Sequence, residues 1–266
     1  MKHKLIFVAT LGVILILSYS YYYRHTLSSL PPKKYPDIST NTNKKASKND
    51  LLKENFDSKV WAHQINTIED LKEVECVYNG FEIDVFFKVK EDCFDVHHPS
   101  EPSINLTLET LIDALENPKN HYYWLDFKNL DSSSCTPALT HLQKLLTDFS
   151  IHKQVIVESP NPKHLSHFTE AGIYTSYYIP SFLPNRRSDE EIKDYAEEIN
   201  QNLERYPVNA ISGYHCQFPF MDNYFSDKDI LVWHIYDSNK NLFNMLWRRK
   251  LLSNERVKII LESKSK

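Results

Sequence analysis

His63, Glu82, Asp84, the pair His97-His98, Asp126 and Lys128 are the side chains whose types and spacing could do chemistry. Glu82 and Asp84 lie two apart in the run Phe81-Glu82-Ile83-Asp84-Val85-Phe86-Phe87, so a strand would point both carboxylates to one face. In apolar surroundings such a pair repels itself and loses hydration. A hard divalent cation resolves that cost, and Ca²⁺ and Mg²⁺ both take oxygen ligands. Trp124-Leu125-Asp126-Phe127-Lys128 repeats the spacing with a carboxylate and an ammonium. A cation on Glu82, Asp84 and Asp126 would neutralise the non-bridging oxygens of a phosphodiester, and Lys128 would add charge. Two histidines would move protons. His63 is one of them. The second is His97 or His98, only one of which can face the pocket, because neighbouring residues of a regular strand point opposite ways.

These residues need a scaffold that brings strand ends together. From about residue 51 the chain alternates short apolar runs with amphipathic stretches. The patterning predicts strands at 59–63, 81–87, 94–97, 122–127, 154–158, 173–179, 208–212, 230–236 and 257–262. Helices are expected at 67–76, 106–115, 136–149, 162–171, 188–205 and 239–252. Thr67 with Asp70 three residues on reads as the first of these helix starts. About eight principal strands in β-then-α alternation argue for α/β architecture, a closed (β/α)8 TIM-type barrel over 51–266. An open doubly wound sheet is the alternative. In a barrel the C-terminal strand ends converge on one mouth, where His63, Glu82, Asp84 and Asp126 would meet.

Composition narrows the function classes. With 266 residues, 41% hydrophobic, one large domain can bury a core, and a net charge of -4 argues against nucleic acid as a partner. Four glycines leave no glycine-rich phosphate loop. Cys76, Cys93, Cys135 and Cys216 show neither CxxC pairing nor zinc-ligand spacing, and read as buried small hydrophobes; a Cys76–Cys93 bridge is the alternative in an oxidising compartment. Lys2, His3 and Lys4 precede the apolar run 5–17, with Tyr21, Tyr22, Tyr23 and Arg24 after it. This describes an export segment, 1–24, read as an uncleaved membrane anchor in preference to a cleaved signal peptide. Either way the domain is expected outside the cytoplasm, membrane-anchored or else secreted or periplasmic. Residues 25–50, polar and rich in Ser, Thr, Asn and Lys, read as a disordered linker.

At His63-Gln64-Ile65-Asn66, Glu82-Ile83-Asp84, the histidine after Phe94-Asp95-Val96, and Leu125-Asp126-Phe127-Lys128, the chain resembles the PLC-like phosphodiesterase superfamily. That superfamily includes the glycerophosphodiester phosphodiesterases and the spider-venom sphingomyelinase D enzymes. Thr107-Leu108-Glu109-Thr110, His98-Pro99 and Leu125–Asn129 look closest to the menorin group, and Leu231-Val232-Trp233 resembles the aromatic strand of those enzymes. The resemblance implies a TIM barrel and metal-dependent cleavage of a lipid headgroup or glycerophosphodiester-like substrate. It also implies catalytic roles for His63 and His98, metal ligation by Glu82, Asp84 and Asp126, and a phosphate contact from Lys128. Sphingomyelinase D likeness would imply attack by a substrate hydroxyl and a cyclic phosphate product. The chain departs from glycerophosphodiesterases at Gln64, where they carry Arg, and in the reduction of their Pro-Glu-Asn-Thr stretch to Asn66-Thr67. The missing arginine removes a charged hydrogen bond of about 1.5–3 kcal/mol.

Asn66, Glu158, Tyr177 and Trp233 are candidates to line the substrate pocket. Two other functions compete. One is a non-catalytic extracytoplasmic barrel binding lipid or glycan headgroups. The other is glycoside hydrolysis by two carboxylates, which leaves the histidines and Lys128 without a role.

Overall fold

Among the described residues nine strands form one sheet, and the apolar, aromatic and β-branched residues of its parallel strands are mostly buried on both faces, as parallel barrel strands require. A computed structural model of the chain describes residues 10, 12–18, 35–37, 58–234 and 242–263. The strands are β1 (Val60–His63), β2 (Gly80–Lys88), β3 (Cys93–Val96), β4 (Tyr122–Phe127), β5 (Val155–Ser159), β6 (Tyr174–Tyr178), β7 (Ala210–Tyr214), β8 (Asp229–His234) and β9 (Val257–Ser263). Eight run parallel in the order β1-β9-β8-β7-β6-β5-β4-β2, and pairing of β1 with β2 closes the ring. This is the expected (β/α)8 barrel.

β3 is not a barrel strand. It folds back antiparallel on the overlong end of β2, from Val85↔Val96 to Lys88↔Cys93. Its outer side is covered by a single antiparallel bridge, Asp95 to Thr107, and by the Val96 N–H donating to Leu106 O at 2.8 Å.

The helices are α1 (Ile68–Val74), α2 (Leu108–Asp113), α3 (Cys135–Phe149), α4 (Pro162–Glu170), α5 (Asp189–Arg205), α6 (Phe218–Tyr224) and α7 (Leu242–Ser253). Local chemistry starts several of them. Thr67 accepts from the Asp70 N–H at 3.0 Å, and Thr107 from that of Thr110 at 3.2 Å. Ser188 and Glu191 form a reciprocal capping box ahead of α5. α6 was not expected, because its residues Phe218, Phe220, Met221 and Tyr224 are buried all round its short length and leave no helical period.

Inside the ring, Trp61, Tyr122, Trp124, Ile156, Tyr174, Ala210, Leu231, Ile259 and Leu261 pack as a separate core. Gly80 is the residue that lets Trp61 in. A Cβ there would sit 2.1 Å from Trp61 Cδ2 and 2.4 Å from Cε2. The indole also stacks on Tyr122, with centroids 5.6 Å apart at 27°. The larger outer core lies between the strands' other faces and the helices.

Residues 10 and 12–18 are helical with Val13–Leu17 exposed, and among the described residues no helix is long and apolar enough to cross a membrane. The remainder of the expected anchor, including Tyr21–Arg24, lies outside the described residues. Of the expected linker only 35–37 are described, and Tyr35 is not a free stalk residue. It is buried against Phe220 and Tyr224, and the Tyr224 hydroxyl donates to Pro36 O at 2.6 Å. All four cysteines are free, so the alternative Cys76–Cys93 bridge is absent. Cys76 is exposed and only Cys135 is buried, so the expectation of four buried thiols holds for one.

Candidate active site at the barrel mouth

His63 is the last residue of β1, and the chain turns sharply after it. Gln64 takes a left-handed conformation, φ 58°, that non-glycine residues adopt rarely. The turn aims the Gln64 N–H at Glu82 Oε2, 2.8 Å away, and the Ile65 N–H at Glu82 O, also 2.8 Å. His63 Nε2 comes to 3.5 Å from the same Glu82 oxygen. Burial pushes the His63 pKa down to about 4, with Asp84 opposing and Lys128 and His98 reinforcing the shift. The ring is therefore neutral at neutral pH.

β2 and β4 are in register so that Asp84 stands beside Asp126. Both lie on the interior face with Glu82, and the three buried carboxylates offer oxygens within 4.8 Å of one another. Burial raises Glu82 well above the usual carboxylate range, and Asp84 and Asp126 add to it against Lys128. Asp126 is raised too, by burial first, with Lys128 opposing. Lys128 Nζ sits 2.6 Å from Asp84 Oδ1 and also bonds Asp126 Oδ2. Burial alone would lower the lysine, but the two carboxylates outweigh it and hold the ammonium charged.

Two asparagines fix this geometry. Asn66 grips Asp84 twice: its Nδ2 donates to Oδ2 at 2.6 Å, and its Oδ1 accepts the Asp84 N–H at 3.0 Å. Asn66 thus orients a carboxylate of the site. Asn129 accepts the Phe87 N–H at 2.8 Å and donates to Phe87 O at 3.0 Å, tying the segment that carries Lys128 to the strand that carries Asp84.

The two sequence candidates for a second histidine behave differently. His97 stacks on Phe86, with centroids 4.3 Å apart at 15°, and holds Nδ1 3.0 Å from Asp95 Oδ2. His98 acts electrostatically on both His63 and Asp126, and its Nδ1 is 2.6 Å from the Ser100 hydroxyl. His98 thus lies near enough to His63 and Asp126 to act on their charge, whereas His97 is engaged by Phe86 and Asp95.

Opposite them stands an aromatic wall. Trp233 stacks on Tyr178 at 4.4 Å and 23°, meets Tyr214 edge-on at 5.5 Å and 80°, and lies 6.4 Å from the His63 ring. Glu158 is wholly buried beside Asp126 in register. Burial and then Asp126 raise its pKa well above the usual range. Ser212 and Trp124 adjoin its carboxyl without reaching hydrogen-bond geometry, and neither oxygen has a partner among the described residues. Ser176 Oγ, Ser212 Oγ and Trp233 Nε1 share that condition, so the mouth holds buried polar atoms ready for a ligand.

Tyr177 is not brought to the mouth. Its neighbours Ser176 and Tyr178 face inward, while Tyr177 points outward and accepts from Asn202 Nδ2 of α5 at 3.3 Å. Tyr178 takes the place expected for it. Tyr178, Tyr214, Ser176 and Ser212 are the lining residues that sequence reasoning missed. In a strand buried on both faces, alternation gives no inward signal.

The three carboxylates suit a divalent ion. When ionised they would carry three negative charges, against which Lys128 sets one positive charge, and all their donors are hard oxygens. No family model matches the chain, and no curated protein matches it in sequence. Solved structures do match in fold. One is a glycerophosphodiester phosphodiesterase from Parabacteroides distasonis, at TM-score 0.55 and 15% identity, covering 77% of this chain and 92% of that one. Another is a glycerophosphodiester phosphodiesterase from Thermotoga maritima, at TM-score 0.52 and 16% identity, covering 78% and 95%. At such identities the likeness establishes the barrel.

Proposed function

We propose that the chain is a phosphoric diester hydrolase or lyase acting on a glycerophosphodiester-like substrate or a lipid headgroup. The observation that carries this is the meeting of His63, Glu82, Asp84, Asp126, Lys128 and His98 at one mouth. The phosphodiesterase activity named for its structural neighbours supports it. The order of the motifs, Glu82-Ile83-Asp84 then His98-Pro99 then Leu125–Asn129, resembles that of the menorin group and supports a relation to it within that superfamily.

Glu82, Asp84 and Asp126 would hold Ca²⁺ or Mg²⁺, which when bound neutralises phosphate oxygens and polarises phosphorus. Lys128, kept charged by its carboxylates, contributes positive potential at the same oxygens. His63, neutral through burial, takes the proton from the attacking hydroxyl, whether of water or of the substrate itself. His98 gives a proton to the leaving oxygen. Trp233, Tyr178 and Tyr214 cover the organic substituent and exclude water from that side. The N-terminal segment would tether the barrel to a membrane on its extracytoplasmic side, close to lipid substrates.

The test is ³¹P NMR of lysophosphatidylcholine and of glycerophosphocholine incubated with the full chain and Mg²⁺ or Ca²⁺. Turnover to a phosphomonoester or a cyclic phosphate is expected, with losses of roughly 10²-fold or more in His63→Ala and His98→Ala and on chelation. Binding without turnover, alike in wild type and both variants, would establish a non-catalytic headgroup receptor instead.

A further inference from the structure

Outside the barrel mouth a second group of ligand-type side chains comes together, and it is chemically unlike the first. Cys135 opens α3 and is buried. His164 and His167 are three apart on α4, so they project from one face of that helix. The ligand atoms of the three residues all lie within 4.8 Å of one another. Cys135 Sγ is 3.5 Å from the His164 carbonyl, and the two imidazoles are stacked at 6.5 Å and 26°. Glu170 Oε2 lies 4.0 Å from His167 Nδ1, placing a carboxylate where it can orient that ring, as carboxylates do behind metal-bound histidines.

We propose that Cys135, His164 and His167 form a binding site for a borderline-soft divalent ion of the Zn²⁺ type, with a fourth position left to water. One thiolate and two imidazoles are the donors that select such ions over Ca²⁺ or Mg²⁺. On binding, the Cys135 thiol releases its proton to solvent as the sulfur–metal bond forms. His164 and His167 bind as neutral rings, each through a nitrogen lone pair.

The position gives the ion a structural consequence. Cys135 follows the segment 128–134 that descends from β4, and α4 follows β5. Asn161 Nδ2 already reaches across from the second segment to Leu130 O of the first, at 3.3 Å. An ion on Cys135, His164 and His167 would clamp these two connections at the outer rim. The first begins with Lys128 and the second follows Glu158 and Ser159, so the clamp would stiffen the supports of the mouth without touching it.

Co²⁺ titration of the full chain, followed by absorption, tests the site. A near-ultraviolet thiolate-to-cobalt band with visible d–d bands is expected, displaced by Zn²⁺. Cys135→Ser should abolish the near-ultraviolet band, and His164→Ala and His167→Ala should each weaken affinity about tenfold or more. The double variant Glu82→Gln/Asp84→Asn should leave the band intact, which separates this site from the carboxylates. Circular dichroism of each variant controls for folding. Absence of the band, its survival in Cys135→Ser, or its loss in the carboxylate variant would overturn the assignment.

Discussion

Gly80→Ala isolates how the interior of the barrel governs its mouth. The added methyl would start 2.1 Å from an indole that is wholly buried and stacked on Tyr122, so the indole cannot yield cheaply. Overpacking of this kind costs about 1–3 kcal/mol, and contact this close belongs at the upper end. Replacing glycine also restricts the unfolded chain, which returns about 0.4–1 kcal/mol. The net loss is ~2–3 kcal/mol, a fall in Tm of roughly 5–10 °C at about 2–4 °C per kcal/mol for a domain of this size. Thermal denaturation of Gly80→Ala, Trp61→Leu and the double variant measures it. The double variant should recover ~2 kcal/mol relative to the sum of the singles, because the leucine vacates the space the methyl needs. Strict additivity, or a Tm within 2 °C or so of wild type for Gly80→Ala, would refute the argument. Glu82 and Asp84 follow Gly80 on the same strand face, so Gly80→Ala should also weaken cation binding.

Lys128→Met removes the ammonium shared by Asp84 and Asp126 and leaves buried carboxylates without a counter-charge. Apo stability should fall by ~3–5 kcal/mol, and Mg²⁺ or Ca²⁺ should raise Tm more than in wild type; an equal shift in both proteins would contradict this. Glu82, raised above its usual range, holds its proton to higher pH, and a cation needs the ionised form. Affinity should therefore rise with pH by up to about tenfold per unit until Glu82 is ionised, with up to about one proton released per ion. Calorimetry in buffers of differing ionisation enthalpy measures this, and the absence of proton uptake by buffer would rule it out. Arg256 donates to Asp222 Oδ1 and O, both at 2.7 Å, to Lys228 O at 3.2 Å and to Phe225 O. Arg256→Ala should destabilise by ~2–4 kcal/mol in urea titration without changing cation affinity.

How far the sequence reveals this molecule depends on how each residue is constrained. β4 is legible to the residue, because Tyr122–Phe127 is an aromatic and apolar run interrupted by Asp126 alone and bounded by polar turns. Glu82 and Asp84 stand out because charge in such a run is costly unless it is used. The helix start at Ser188 is written in its capping residues. Tyr177 and Tyr178 could not be told apart, since the strand 174–178 is buried on both faces and carries no alternation. The seating of Tyr35 is a contact with α6 far along the chain, and nothing in its polar neighbourhood announces it. The antiparallel turn-back of β3 depends on Asp92 taking φ 47°, a conformation its residue type tolerates but does not dictate. The Cys135, His164 and His167 grouping joins two helices, and so no linear spacing could display it.

The ring of strands has a bearing on how the protein behaves at high concentration. Closure between β1 and β2 removes both free margins that an open sheet would offer to another chain. The hairpin restores one margin, at β3, but that strand is four residues long and its outer groups are taken by Leu106 and Thr107. Lys88 and Asp95 place charge there as well, 3.0 Å apart. Among the described residues, strand-to-strand accretion between copies thus has little template. Shortening the 105–107 cover would expose β3 and create an aggregation-prone margin where the folded protein has a protected one.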